Sequence, residues 1–350
     1  MRTITFAQAT LEAMAVTMEE DPAVFVMGED IARQGGIFGQ FKDLARQFPD
    51  RVIDTPISET FIVGGGVGAA LAGARPVVDM HYADFLSVAM DEVFNQMAKA
   101  RFMFGGQAKM PIVLRAPDGQ LTNGAAQHTQ SVEAWFTHIP GLKVVSPSNP
   151  YDAKMTLITA IRSDDPVIYF ENKTLLKESG EVPELADEVP YELGKARVER
   201  EGADVTIVSY SIGMKHARTA ADALKKRGYS AEVIDLISLL PWDREAVLRS
   251  VRKTHRLCIL HESIKQGGFG GEIAATVVED AFDALKAPIL RIGAPFCPSP
   301  FSPTLEPQVR LSDEKITRDL LNSGVRMVRA MGLLMWKPQY THELVHELVM

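Results

Sequence analysis

The stretch Asp54–Gly73, D-T-P-I-S-E-T-F-I-V-G-G-G-V-G-A-A-L-A-G, decides how the rest of the chain is read. It begins as an extended, proline-containing segment, carries a single carboxylate at Glu59 and runs into an apolar, glycine-dense tract. Ser58 is a candidate N-cap, and Ile62, Val63, Val67 and Leu71 share a helical spacing. Gly64, Gly65, Gly66 and Gly68 fall inside that helix. At ~1 kcal/mol per glycine relative to alanine, roughly 4 kcal/mol of helix propensity is given up. Close approach of another backbone or of a ligand would offset that loss. An ordinary buried helix with one surface glutamate at its start is the alternative, and these residues alone leave both open.

On either side, strands alternate with helices. A-V-F-V-M-G ends a short buried strand at Gly28 and delivers Glu29 to a loop, and A-R-P-V-V-D-M-H reads as a strand leading to a helix over 84–102. M-P-I-V-L-R-A is a further strand, followed by the loop P-D-G-Q-L-T-N-G-A-A-Q-H-T-Q with His128 near its end. L-K-V-V-S-P-S, a helix over 151–163 and the strand P-V-I-Y-F-E complete the first unit. A second alternating unit starts at D-V-T-I-V-S-Y. This pattern predicts an α/β fold of two mostly parallel-sheet domains, with helices on both faces of each sheet. The expected boundaries are a first domain over 1–178, an acidic, proline-containing linker over 179–194, a second domain over 195–330 and a C-terminal extension over 331–350.

Composition narrows the class of function. The net charge of −8 disfavours nucleic acid or an anionic membrane as a main partner. Cys258 and Cys297 provide neither a disulfide framework nor a metal-ligand cluster, which suits a reducing compartment. The longest uncharged apolar run, Phe61–Ala74, falls short of the ~20 residues that span a bilayer. The start M-R-T-I-T-F-A-Q lacks the apolar core of a signal peptide. A cytoplasmic protein is expected.

Two familiar motifs fail on context. Gly64-x-Gly66-x-x-Ala69 matches a loose dinucleotide fingerprint, but Asp54-Thr55-Pro56 interrupts the strand that should feed it, and Asp79 comes too early. Ser209 to Gly213, with Asp235 and His261 after it, has the order of a hydrolase triad but lacks the first glycine of the nucleophile elbow.

What remains is Glu59, the His128 loop and the two-domain frame, and here a resemblance enters. D-T-P-I-S-E at 54–59, A-A-Q-H-T-Q at 125–130, H-I-P-G-L-K-V-V-S-P-S-N-P-Y-D-A-K at 138–154, D-D-P-V-I-Y-F-E at 164–171 and A-P-F-C-P-S-P-F-S-P at 294–303 follow one another in order. Together they closely resemble the beta subunit of thiamine-diphosphate-dependent 2-oxo acid dehydrogenases, the pyruvate, acetoin and branched-chain enzymes. The resemblance covers about residues 3–330. It implies a thiamine-diphosphate pyrimidine-binding fold followed by a transketolase C-terminal-like domain. It also implies oxidative decarboxylation with acyl transfer to the lipoyl group of a dihydrolipoyl acyltransferase.

The resemblance also assigns residues. Glu59 matches the glutamate whose carboxyl group meets the pyrimidine ring nitrogen and favours the tautomer that acts as a base. Phe85 matches the aromatic that packs on that ring, and Ile57 and His81 match lining positions. His128 matches a histidine near the reaction centre. Glu29 and Asp91 match acids of a proton path between two active sites, with Val88 where relatives often carry a polar residue. Ile112, Ala160, Ile161, Ser163 and Asp165 fall where family members hold a monovalent cation such as K+, Ser163 replacing a frequent Asp. The G-D-G motif that holds Mg2+ and the diphosphate in thiamine diphosphate enzymes occurs nowhere in the sequence; Pro117-Asp118-Gly119 comes nearest. Transketolases carry that motif in the same chain. An alpha subunit is therefore expected to supply it, in a heterotetramer of two alpha and two beta subunits, with the glycine-dense helix at a subunit interface.

Overall fold

The computed structural model describes residues 1–184 and 191–322. The C-terminal extension expected over 331–350 lies outside the described residues.

The elements in chain order are β1 (Arg2–Thr5), α1 (Phe6–Glu20), β2 (Val24–Gly28), α2 (Leu44–Gln47), β3 (Val52–Asp54), α3 (Glu59–Leu71), β4 (Arg75–Asp79), α4 (Ala100–Met103), β5 (Val113–Asp118), α5 (Glu133–Thr137), β6 (Lys143–Val145), α6 (Pro150–Arg162), β7 (Val167–Asn172) and β8 (Ser179–Val182). They continue with β9 (Arg197–Arg200), β10 (Val205–Ser209), α7 (Gly213–Lys225), β11 (Ala231–Asp235), β12 (Ser238–Leu240), α8 (Arg244–Thr254), β13 (Leu257–Ile264), α9 (Gly270–Ala281), β14 (Leu290–Ala294), α10 (Glu306–Val309) and α11 (Asp313–Asn322). Seven strands form one sheet in the order β12-β6-β7-β5-β4-β2-β3, and five form another in the order β14-β13-β10-β11-β9. Every pairing in these two sheets is parallel except at the edge strands β12 and β9. The chain is thus α/β with two mostly parallel sheets.

Local sequence explains several of these elements directly. Thr5 and Gln8 form a reciprocal capping box that starts α1. Asn149 caps α6 through the Asp152 amide, with Pro150 at the first position. In α3 the buried face is Ile62, Val63, Gly66, Val67 and Ala70, while Leu71, expected inside, is 45% exposed. A Cβ on Gly66 would stand 2.5 Å from Val78 Cγ1 and 3.0 Å from Ile112 Cδ1, so α3 lies on the sheet at a distance only glycine permits. Gly68, by contrast, meets nothing within 4 Å. Close approach within the chain therefore accounts for Gly66 but not for Gly68.

The structure departs from the sequence reading in three places. The segment read as one helix over 84–102 is a 3-10 turn (Ala83–Ala89), a π-helical turn (Glu92–Met97) and the short α4. Residues Ser179–Val182, read as the start of a linker, form β8 and pair antiparallel with β1. The short strand β12 lies beyond that linker in sequence, yet it joins the edge of the first sheet beside β6. Among the described residues no helix is long and apolar enough to cross a membrane.

Candidate active site

In an open parallel sheet, functional groups collect where the strands end at their carboxyl termini. Here Glu29 follows β2, the segment leading to Glu59 follows β3, His81 follows β4, the His128 loop follows β5 and Lys173 follows β7. All five thus leave the same edge of one sheet.

Glu59 is the first residue of α3. Ser58 occupies the N-cap position, but its hydroxyl makes no capping bond and lies 3.4 Å from Thr60 Oγ1. The half-buried Glu59 carboxyl makes no hydrogen bond or ion pair among the described residues. Beside it Ile57 is 74% exposed and Phe61 54% exposed. A helix N-terminus favours the ionised carboxylate. What this corner of the fold presents is an unpartnered acid flanked by apolar side chains.

The 3-10 turn that carries Phe85 packs on α3. Phe85 and His128 meet edge to face at 5.5 Å, and Tyr82 lies edge-on to His128 at 4.8 Å and to Phe85 at 5.8 Å. His81 Nε2–H donates to the Glu29 carbonyl at 2.8 Å, and His81 Nδ1 lies 3.4 Å from the Glu29 carboxylate. Phe85 and His128 are therefore gathered around Tyr82, a residue that sequence reasoning did not single out, while neighbouring His81 is held by Glu29. Asp91 is exposed and accepts from Asn95 Nδ2 at 2.6 Å. The acid that lies against α3 is Glu92, whose Cγ would be 3.4 Å from a Cβ on Gly64 and whose buried Oε2 has no hydrogen-bond partner among the described residues. Val88 is 54% exposed.

Beneath the aromatic group sits a buried charged cluster that the sequence did not announce. Lys173, 6% exposed, holds its ammonium 5.3 Å from the centre of the Tyr82 ring, and its Nζ has no hydrogen-bond partner among the described residues. Burial pushes the Lys173 ammonium down, against the pull of Asp118, Asp84 and Glu262. Burial and the Glu133 charge together hold the Asp118 carboxyl well above the usual range. Three carboxylates thus act on one buried lysine, and the crowding favours the protonated form of Asp118. Lys173 directly follows a strand end, and that position was the one sequence signal that could have found it.

The residues expected to hold a monovalent cation are arranged differently. Arg75 Nη1 donates to the Ile161 and Ser163 carbonyls at 3.2 and 3.0 Å. The Ala160 carbonyl accepts from Ser163 N and the Ile112 carbonyl from Val167 N. The Asp165 carboxylate is paired with Lys143 Nζ at 2.9 Å and with Arg101. Three side-chain cations, Arg75, Lys143 and Arg101, thus already serve the Ile161 and Ser163 carbonyls and the Asp165 carboxylate, where the expected site would place an added K+.

The two motifs set aside above stay aside. Gly64 and Gly66 lie within α3 rather than at a strand-to-helix turn. Ser209 Oγ donates to the Leu260 carbonyl, Asp235 accepts from Ser148, and His261 stacks on Tyr210, so these three do not form a triad.

Comparison with known proteins bears on the whole chain. Residues 2–178 match the family model "Transketolase, pyrimidine binding domain", and residues 194–316 match "Transketolase, C-terminal domain". The acetoin:2,6-dichlorophenolindophenol oxidoreductase subunit beta of Cupriavidus necator is 45% identical over 87% of this chain and 93% of its own length. The 2-oxoisovalerate dehydrogenase subunit beta of Bacillus subtilis is 41% identical over 90% of this chain and 97% of its own. The pyruvate dehydrogenase E1 component subunit beta of Rickettsia felis is 44% identical over 87% and 93%. A solved structure described as a split-gene transketolase, inactive beta4 tetramer, shares the fold with a TM-score of 0.75 at 24% identity, covering 91% of this chain and 98% of that one. The chain therefore belongs to the beta subunits of the thiamine-diphosphate-dependent first components of 2-oxo acid and acetoin dehydrogenases.

Proposed function

We propose that this chain is the beta subunit of a pyruvate dehydrogenase, assembled with an alpha subunit into a heterotetramer that passes an acyl group to the lipoyl group of a dihydrolipoyl acyltransferase. One observation carries the reading. Among the described residues the Glu59 carboxyl stands without a protein partner at the carboxyl edge of the first sheet, with exposed Ile57 beside it and Phe85, which meets His128 edge to face, on the turn packed against its helix. An acid with its hydrogen-bonding capacity unused, next to apolar and aromatic surface, suits a flat heteroaromatic ring that offers one ring nitrogen.

Thiamine diphosphate, when bound, would supply the nucleophile and electron sink for decarboxylation. The chain's own contributions are narrower. Glu59 would share a proton with the pyrimidine ring nitrogen, and Phe85 and Ile57 would orient the ring. His81, tied to Glu29, lines the site, and His128 stands ready to move a proton near the reacting carbon. The diphosphate and Mg2+ fall to the alpha subunit, because this sequence lacks the motif for them. Calorimetry on the isolated chain should accordingly detect no tight thiamine diphosphate binding, and titration into the co-assembled subunits should detect it. Tight binding by the chain alone would remove the shared-site reading.

Pyruvate is proposed on the wording F-T-H-I-P-G at 136–141 and N-P-Y-D-A-K at 149–154, which resembles the pyruvate and acetoin members. Acetoin and branched-chain 2-oxo acids are the alternative readings, since subunits named for them are similar to this chain at 45% and 41% identity. A panel of pyruvate, acetoin and branched 2-oxo acids on the reconstituted heterotetramer separates them. The expected result is a kcat/KM for pyruvate at least about tenfold above the others, a difference of about 1.4 kcal/mol in transition-state binding.

A further inference from the structure

The loop from Gly119 to Ser131, which carries His128, includes backbone that resists forming unaided. Asn123 and Ala125 both have positive φ, at 60° and 55°. For a residue with a Cβ such a conformation costs on the order of 1–2 kcal/mol and persists only where the surroundings enforce it. Part of the enforcement comes from the first domain, where Asp84 Oδ1 accepts from Gln130 N and Nε2 at 3.2 and 2.9 Å. The rest comes from the second sheet. Glu262, near the end of β13, places Oε2 3.3 Å from Gln120 N at the start of the loop, 3.4 Å from Ser131 Oγ at its end and 2.7 Å from Asn172 Nδ2 beside it. One carboxylate oxygen thus gathers three donors from two ends of the loop and the neighbouring strand. Gly119 leaves the space for this meeting, with φ at 80°, and a Cβ there would overlap both Glu262 Oε2 and Asn172 Nδ2. A second glutamate of the same domain, Glu306, lies 3.5 Å from Asn123 N.

We propose that Glu262 is a positioning residue for the reaction: it reaches across from the second domain and fixes the loop that presents His128. The C-terminal domain then takes part in turnover without touching substrate or cofactor. The geometry of the latch stands on the contacts above. Its effect on rate rests on the reading of His128 given under Proposed function.

The test uses the full chain assembled with its alpha subunit and compares E262A, E262D and E262Q. Aspartate keeps the charge but withdraws the acceptor by one methylene, whereas glutamine keeps an acceptor oxygen at full reach. In E262A and E262D, amide hydrogen exchange over 119–131 should quicken by about tenfold or more while strands β5 and β13 keep their protection. In the same variants kcat should fall between about 10-fold and 100-fold at unchanged KM, because a misplaced group loses orientation rather than binding. E262Q should restore both to within about threefold, since the lost geometry is what matters. If E262A does not fold, the E262D and E262Q pair decides alone. Unchanged loop exchange in E262D overturns the proposal, as does E262Q failing to restore it. Faster exchange with unchanged kcat also overturns it if H128A itself slows turnover. If H128A is as fast as the parent, the reading of His128 fails instead, and the exchange comparison still decides the latch.

Discussion

Replacing Glu59 with glutamine should reduce turnover of the reconstituted enzyme by about 10²–10⁴-fold, the range a positioned proton-transfer group contributes. Glutamine matches glutamate in size and keeps an acceptor oxygen, but it cannot share a proton with a ring nitrogen. The change should leave the protein otherwise intact. The Glu59 carboxyl has no partner among the described residues and lies at the first position of α3, so no buried bond is broken there. Removing a charge from a helix N-terminus should cost no more than about 1 kcal/mol. Folding stability and subunit assembly of E59Q should therefore match the parent while kcat collapses. Steady-state turnover beside a denaturation curve and a sizing experiment checks both halves. Undiminished turnover would remove Glu59 from the mechanism, and a large loss of stability would mean that the carboxyl serves the fold.

The sequence made the frame legible because strands and helices of a parallel sheet advertise themselves over short windows. V-F-V-M-G, R-P-V-V-D and V-I-Y-F-E-N are short, β-branched and closed off at both ends, and the capping box at Thr5 needs only four residues. What escaped depends on partners remote in sequence. Residues 179–182 become a strand only because β1, at the other end of the first domain, offers an edge. The turns over 83–97 do not continue as one α-helix, and part of their path lies against α3, where Gly64 leaves room for Glu92. No periodicity in 84–102 encodes that contact. The candidate site divides in the same way. Glu59 and His128 were singled out by motif wording, and Phe85 and His81 by the resemblance as a whole. Tyr82, Lys173 and Glu262 belong to no motif, and they matter because three strand ends and a second sheet converge on one loop. The glycine tract was only partly explained: Gly66 answers to Val78 and Ile112, whereas Gly68 faces outward on the α3 surface that also exposes Phe61 and Leu71.

The largest effect on stability should come from Arg115, a fully buried side chain at the centre of the first sheet. Its Nε donates to Glu171 Oε1 at 2.6 Å, its Nη2 to Glu171 Oε2, and its Nη1 to Asp79 Oδ1 at 3.0 Å, while the guanidinium lies 4.7 Å from the centre of the Phe41 ring. These residues stand on β5, β7 and β4, which are neighbours in the sheet. One guanidinium neutralises one of two buried carboxylates. Burial therefore pushes Asp79 up to about 7, with Glu171 adding to the rise and Arg115 opposing it, and Asp79 Oδ2 is left without an acceptor or donor. R115M fills most of the volume but leaves both acids without a counter-charge, which should cost about 3–5 kcal/mol. Chemical denaturation of the isolated chain would read this directly. The pH dependence has a defined sign. A carboxyl whose folded pKa lies above its unfolded value of 3.8 contributes most below that value, and the contribution fades as pH rises toward about 7. Without Arg115 the folded pKa rises further, so fading continues to higher pH, and the gap between parent and variant should widen from pH 6 to pH 9. Adding D79N and E171Q to R115M should narrow that gap at pH 9, because it removes the charges rather than restoring the ion pair. A gap that is the same at both pH values, and untouched by the two amides, would assign the loss to packing around Phe41 instead.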